Sequence, residues 1–79
     1  MQSPKDFVHF LIDEASENGG KISVAIAIIS KFPALTQISI FSHLNKKIDS
    51  KNPAKTIANA TKLLKNLAAC WKQQGQVLP

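Results

Sequence analysis

The sequence contains no arginine and no tyrosine, and its ten basic residues are all lysines. The planar guanidinium of arginine is the side chain best suited to paired hydrogen bonds with base edges, so its absence disfavours sequence-specific DNA recognition. Lysine is a strongly hydrated point charge, and attraction to phosphates or to acidic peptides stays open. The single cysteine, Cys70, cannot form an internal disulfide, which fits a reducing compartment.

Long hydrophobic runs are also missing. The longest unbroken apolar segment is "VAIAII", residues 24–29, which is far too short to cross a bilayer. No charged segment followed by an apolar run opens the chain, so we expect no signal peptide and no membrane partner. The chain is therefore expected to be intracellular.

Little in the sequence is typical of a metal or cofactor site. His9 and His43 are the only imidazoles, and neither accompanies a cysteine pair or an acidic cluster at ligand spacing. We expect both at the surface or at the boundary of the core. Gly19 and Gly20 are not followed by the residues that complete a phosphate-binding loop. We therefore expect no metal and no cofactor.

Candidate catalytic groups are equally few. Asp13 and Glu14 are adjacent on a helix and project in different directions, which predicts a solvated acidic face rather than a catalytic pair. Cys70 has no base near it in sequence, so it is interpreted as an inert, partly packed thiol. We expect no enzyme activity. The aromatic residues all occupy core-like positions, which disfavours a stacking surface for single strands: Phe7, Phe10, Phe32, Phe41 and Trp71.

The first helix is predicted over residues 4–17. Ser3 can cap it, and Pro4 suits the first helical position. Gly19-Gly20 then ends it. The apolar residues that follow helical spacing are Phe7, Phe10, Leu11 and Ala15, with Val8 and Ile12 widening the same face.

The middle of the chain, residues 22–42, permits two interpretations. Ile22, Val24, Ile26 and Ile28 alternate as in a strand, whereas apolar residues from 22 to 32 also recur at helical spacing. A hairpin here would be an isolated two-stranded sheet, which is marginally stable in water. Helices over about 22–32 and 37–48 are therefore favoured, with Thr36 as a possible cap of the second.

The strongest helical pattern is "NPAKTIANATKLLKNLAACWKQQG". Asn52 is expected to cap a helix over residues 53–74, Pro53 to take its first turn and Gly75 to end it. Steps of three and four define a stripe that we expect in the core, with Leu63 and Ala68 at its edges. The stripe consists of Ile57, Ala60, Leu64, Leu67 and Trp71.

These patterns predict one all-α domain over residues 1–79, a small bundle of four to five helices. The alternative is an α+β fold with a hairpin at 22–42. The segments "ISVAIAIISKF" and "IANATKLLKNL" share a pattern of isoleucine, alanines and paired aliphatic residues. Such faint self-similarity is typical of HEAT or armadillo-like helix pairs.

The net charge of +5 is unevenly distributed. Residues 1–20 contain one lysine and four acids, a sum of −3, whereas residues 21–79 contain nine lysines and one acid, a sum of +8. This asymmetry predicts an acidic partner or a nucleic-acid surface. The candidate partner-binding residues run from the third helix into the fourth: Lys46, Lys47, Lys51, Lys55 and Lys62.

Residues 22–72 resemble a known family. Ile26 and Ile29 precede "FP" and a threonine, Leu44 and Ile48 follow, and Leu67 leads to "CWKQ". This resembles the N-terminal domain of transcription elongation factor S-II, Elongin A and Mediator-type proteins. The segment "KKIDSKNPAKTIANATKLLKNL" bears a weaker likeness to VHS modules, which are about twice as long as this chain. The first likeness implies a helical bundle that binds short disordered peptides, often acidic with embedded aromatics, and a nuclear location.

The expected function is therefore a non-enzymatic domain of the transcription machinery that docks acidic, aromatic peptides. The alternative is a small basic nucleic-acid-associated protein of a phage or bacterial regulator type, which would be cytoplasmic. The chain is expected to be a monomer or a weak homodimer, because so small a core can leave apolar surface exposed.

Overall fold

The computed structural model describes residues 3–32 and 36–75. It contains four α-helices: α1 (Pro4–Glu17), α2 (Ile22–Ile29), α3 (Gln37–Asp49) and α4 (Ala54–Gln73). A short 3₁₀ turn, Gly19–Lys21, joins α1 to α2, and the described ranges contain no strand. The all-α prediction is confirmed. The hairpin alternative is wrong, because residues 22–29 and 37–42 are helical, while residues 33–35 lie outside the described part.

Helix α1 has the bounds that its caps predicted. The Ser3 hydroxyl accepts a hydrogen bond from the Asp6 amide at 3.2 Å. Pro4 has no amide proton, so it leaves no unpaired donor in the first turn. At the other end the Asn18 amide donates to the Glu14 carbonyl at 2.9 Å. The Asn18 side chain then accepts from the Gly20 amide, which starts the 3₁₀ turn.

Helix α2 ends at Ile29, three residues earlier than the pattern predicted. The Lys31 amide donates to the Ile28 carbonyl and the Phe32 amide to the Ile29 carbonyl, so the ladder tightens from four-residue to three-residue spacing. Pro33, which the sequence predicted as the stop, lies outside the described residues. The helix thus unwinds through one tight turn.

Helix α4 begins at Ala54 with Pro53 at its N-cap, so the prediction that Asn52 caps it is wrong. The Asn52 side-chain amide instead donates to the Lys47 carbonyl at 3.1 Å and to the Ser50 hydroxyl. The last carbonyls of a helix lack intrahelical donors, and Asn52 supplies one to α3. Asn52 therefore caps the C-terminus of α3 rather than the N-terminus of α4.

The core lies where α4 packs against the other three helices. The interface of α1 with α4 is the most extensive, followed by that of α3 with α4, and α2 packs against both α1 and α4. Trp71 is the largest fully buried side chain, and its ring meets Phe41 edge-on at 5.5 Å between centroids. The other buried apolar residues are Val8, Ile12, Ala15, Ile22, Ala25, Ile29, Ile40, Leu44, Ala60, Leu63 and Leu67.

One polar contact joins the C-terminal end of α1 to α4. The Asn59 side-chain amide donates to the Ser16 carbonyl at 2.9 Å, across 43 residues of sequence. Gly19 leaves room for this contact, because a Cβ atom there would lie only 3.1 Å from the Asn59 side-chain oxygen. Any larger residue at position 19 would push against that oxygen.

On α1 the buried stripe differs from the predicted one. Val8, Ile12 and Ala15 are buried, whereas Phe7 and Phe10 are exposed, so the prediction that all aromatic residues occupy the core is wrong for these two. The observed stripe continues into Ser16, whose hydroxyl donates to the Ile12 carbonyl. Small residues at this end let α1 approach α4 closely, which the bulky phenylalanine stripe would prevent.

On α4 the buried row is also displaced. Leu67 and Trp71 are buried as predicted, but Leu63 takes the central position that was assigned to Leu64. Leu64 is partly buried and packs on the edge of the core, and Ile57 has intermediate exposure. Leu63 and Leu64 are adjacent, and the positions of α1 and α2 decide which of them points inward.

Candidate functional site

A groove of about 920 Å³ runs between α3 and α4. Its apolar lining consists of Ile38, Phe41, Leu64 and Ala68, and its polar lining of Ser42, Asn45, Lys46, Asp49 and Ser50. Ile38 is 70% exposed, an unusual state for a side chain of this size. Apolar surface surrounded by polar groups is typical of a site that binds another molecule.

The amphipathic patterns of both helices explain the groove. The connection between α3 and α4 is short, and Phe41 near the start of α3 meets Trp71 near the end of α4, so the helices run antiparallel. Each helix buries one row in the core and leaves the neighbouring apolar residues on its flank. Phe41 is held from below by the fully buried Trp71 ring, which gives the groove a fixed floor.

The groove lining is balanced in charge, and two further lysines lie beside it on α4. Lys46 lines it from α3, with Asp49 as the one acidic residue in the lining. On α4, Lys65 and Lys72 are exposed, and their spacing of three and four residues from Ala68 places all three on one ridge. Three ammonium groups against one carboxylate favour an anionic occupant.

The five predicted lysines do not form one surface. Lys46 lines the groove, whereas Lys47 turns towards α1, is only 19% exposed and has its ammonium 3.0 Å from the Asp13 carboxylate. The remaining three are exposed. Lys62 lies two residues from Leu64 and therefore on about the opposite side of α4 from the groove. Lys55 shares that side with it, and Lys51 precedes the helix.

Sequence reasoning missed Ile38 of the groove and two lysines beside it. Ile38 was assigned to an ambiguous segment, and Lys65 and Lys72 were not included in the basic patch. The signal for the two lysines was present, since they follow the ridge of Ala68 at helical spacing. The sequence did not indicate which flank of α4 faces α3.

A second polar cluster joins α1 to α3. The rings of His9 and His43 stack with centroids 4.1 Å apart and planes within 8° of parallel. His43 Nε2 lies 2.7 Å from Asp13 Oδ1, and His9 Nε2 lies 2.9 Å from the Ser39 hydroxyl. Both histidines are partly buried, at the boundary that the sequence predicted for them.

The acidic face predicted for α1 is only partly solvated. Asp13 accepts from both His43 and Lys47, so it belongs to the cluster between the helices. Glu14 points elsewhere, as expected, and pairs with Lys21 at 3.0 Å on the surface. Cys70 has a free thiol of intermediate exposure.

The surroundings shift the pKa values of two groups in the cluster. Burial, with the nearby charges of His43 and Lys5, holds the pKa of His9 below its ordinary value of 6.5. Partial burial by itself raises the pKa of the Asp13 carboxyl. Hydrogen bonds from His43 and Lys47, together with their charges, outweigh that effect and leave the pKa of Asp13 below its ordinary 3.8.

These shifts predict that acid destabilises the domain in two windows. Below pH 6.5 the unfolded chain binds a proton at His9 more readily than the folded chain does. The free energy of unfolding therefore decreases as the pH is lowered. Below pH 3.8 the same reasoning applies to Asp13, whose stabilising contribution is lost as the pH falls through its lowered folded pKa. Urea midpoints measured across pH should show both declines.

A His9→Gln variant should lose part of the first decline and keep the second, because only the imidazole has been removed. Asp13→Asn should keep the first decline and lose part of the second, which lies below pH 3.8. An identical near-neutral pH dependence in His9→Gln and the unchanged protein would contradict the role given to His9.

Within the described ranges no group of three or more potential ligand residues could hold a metal ion. None of the described helices combines the length and the apolar character that crossing a bilayer requires. The chain matches no protein-family model, no curated protein and no solved structure. The resemblance to the elongation-factor domain, the weaker one to VHS modules and the HEAT or armadillo-like arrangement therefore stay predictions.

Proposed function

We propose that this chain is a non-enzymatic interaction domain whose α3–α4 groove docks a short disordered peptide with acidic and aromatic side chains. The observation that carries the proposal is the groove itself, with an apolar floor fixed by the Phe41–Trp71 contact and Lys46 in its lining. A peptide that folds on binding can place apolar side chains on such a floor and keep its charges at the edge.

The expected affinity is modest. Each large apolar side chain that leaves water on the floor contributes about 1.5–3 kcal/mol. Ordering a disordered peptide costs about 2–5 kcal/mol or more of this gain. Two anchoring aromatic side chains gain about 3–6 kcal/mol, which little more than offsets this cost, so the complex is expected to be weak and reversible and to depend on attraction to the lysines.

The biological setting is a further part of the proposal. The resemblance of residues 22–72 would place the chain among nuclear components of transcription elongation. That setting rests on the resemblance alone, whereas the docking groove rests on contacts between described residues. The two parts stand independently.

A peptide titration tests the groove. A short synthetic peptide rich in Asp and Glu with two embedded Phe should shift the backbone amide resonances of Ile38, Phe41, Leu64 and Ala68. Ile38→Ser should weaken binding by about tenfold, because the loss of one apolar contact of about 1.4 kcal/mol corresponds to that factor. A peptide with Phe replaced by Ser should not bind.

Paired lysine variants test the basic edges. The Lys65→Ala, Lys72→Ala double variant should bind the acidic peptide more weakly than the Lys55→Ala, Lys62→Ala double variant. Both remove two positive charges, but only the first pair lies at helical spacing from Ala68, which lines the groove. Equal losses in the two variants would show that net charge, and not the groove edge, attracts the peptide.

Nucleic-acid binding is the competing outcome. A labelled oligonucleotide bound by phosphate contacts would lose affinity steeply as salt rises, in proportion to the phosphates neutralised. If the oligonucleotide binds tightly at low salt while the acidic peptide leaves the groove resonances unchanged, the docking proposal is wrong.

A further inference from the structure

The outward side of α1 is an apolar surface that nothing in the described part of the chain covers. Phe10 is 48% exposed and Phe7 is exposed beside it. Val24 of α2, which is 59% exposed, extends the surface across a shallow groove of about 370 Å³. Glu14 and Lys21 both line this groove and pair with each other at 3.0 Å, so their charges offset.

This α1–α2 face has the chemistry that the α3–α4 groove is proposed to bind. It presents two phenylalanine rings on one side of a helix, accompanied by carboxylates. Glu17 is exposed and lies seven residues from Phe10, on the same row. Glu14 is offset by Lys21, which leaves the Glu17 carboxylate beside the rings, whereas Lys65 and Lys72 of α4 add positive charge beside the balanced pair of Lys46 and Asp49 in the α3–α4 groove. The two surfaces are complementary in charge and alike in apolar character.

The dimensions of the two surfaces also agree. Helix α1 has 14 residues and is about 21 Å long at the usual rise per residue. The α3 residues that line the groove run from Ile38 to Asp49, about 17 Å along that helix. A helix therefore fits along the groove with its aromatic side on the floor.

We propose that the α1–α2 face of one copy of this chain docks into the α3–α4 groove of a second copy. The two surfaces share no lining residue, so a single contact of this kind is heterologous and leaves one free surface on each copy of a dimer. This inference rests on the proposed function, because it assigns the same groove an occupant from the chain itself. Self-association and peptide docking then compete.

Complementation between two variants tests this arrangement by sedimentation velocity. The unchanged chain should form oligomers larger than a dimer as its concentration rises, and added salt should dissociate them. Phe10→Ser damages only the α1–α2 face, and Ile38→Ser damages only the groove, so each variant alone should remain monomeric. Mixed in equal amounts, they should form a one-to-one dimer that does not grow further, since each supplies the surface that the other lacks.

Controls separate this result from misfolding and from a general charge effect. Both substituted side chains are exposed, so circular dichroism should show unchanged helix content. Lys62→Ala, on the side of α4 away from the groove, should associate as the unchanged chain does. An unchanged chain that stays monomeric at every concentration overturns the proposal, as does association that survives Phe10→Ser or a mixture that stays monomeric.

The monomeric Phe10→Ser variant also separates this inference from the proposed function. If the acidic Phe-containing peptide shifts the groove resonances of that variant while the unchanged chain never associates, self-association is wrong and docking stands. If the unchanged chain associates and the variants complement, but the peptide leaves the groove unperturbed, docking of foreign peptides is wrong and self-association stands.

Discussion

Replacing Trp71 with alanine is expected to lower the free energy of unfolding by about 3–5 kcal/mol, which is a large part of the stability of a domain this small. The side chain is fully buried, is the largest in the core and supports Phe41 from below. Its removal opens a cavity between α3 and α4 and removes the floor of the groove. Urea denaturation followed by circular dichroism should show a much lower midpoint, or no folded baseline at all.

Trp71→Phe is the matched control for this prediction. The indole Nε1 is buried without a hydrogen-bond partner in the described part of the chain, so phenylalanine removes a donor that contributes no hydrogen bond. We expect a loss below about 2 kcal/mol, caused by the smaller ring volume. Equal losses for alanine and phenylalanine would contradict the view that packing, rather than the indole nitrogen, makes this residue important.

The second large effect is expected at Leu63. Leu63→Ala should destabilise the domain by about 2–5 kcal/mol, because the side chain is fully buried in the row of α4 that faces the other helices. Leu64→Ala removes the same atoms from the next residue, where the side chain is only partly buried at the edge of the groove. Its loss should be smaller, under about half that of Leu63→Ala.

The pair also distinguishes structure from binding. Leu64→Ala should retain most of the stability and weaken the acidic peptide, whereas Leu63→Ala should reduce stability and leave the affinity of the remaining folded molecules unchanged. The stripe read from the sequence placed Leu64 in the core. If Leu64→Ala proves the more destabilising variant, that prediction is correct and the register of α4 described here is wrong.

Helix existence could be predicted from the sequence because its signals are local. Ser3 and Pro4 gave the start of α1, and apolar residues at helical spacing gave α4. Where a side chain had two available partners, prediction failed. Asn52 is an ordinary candidate cap for α4, but the carbonyl of Lys47 at the end of α3 lies within its reach and accepts its hydrogen bond.

The choice of buried face was harder to predict, because neighbouring stripes on one helix differ by a single residue. Phe7 and Phe10 are larger apolar side chains than Val8 and Ala15, which are actually buried. The choice depends on how closely α4 approaches, which no local pattern in α1 encodes. The groove could not be predicted for the same reason, since it depends on the gap between two flanks.

The cluster between α1 and α3 illustrates the limit most directly. His9 stacks on His43, and Asp13 pairs with His43 and Lys47, in each case across 30 or more residues of sequence. Each residue alone is typical of a helix surface. Only the crossing of the two helices brings an acid, a lysine and two imidazoles together.

The contact of α1 with α4 has a consequence for how the molecule is made. Helix α1 is synthesised before α4, on which it finds its largest partner surface, and Asn59 must leave the ribosome before it can reach Ser16. Until then the nascent chain carries Val8 and Ile12 without the surface that will cover them. Folding is therefore expected to finish after translation of α4, with α1 as an exposed, chaperone-accessible segment in the interval.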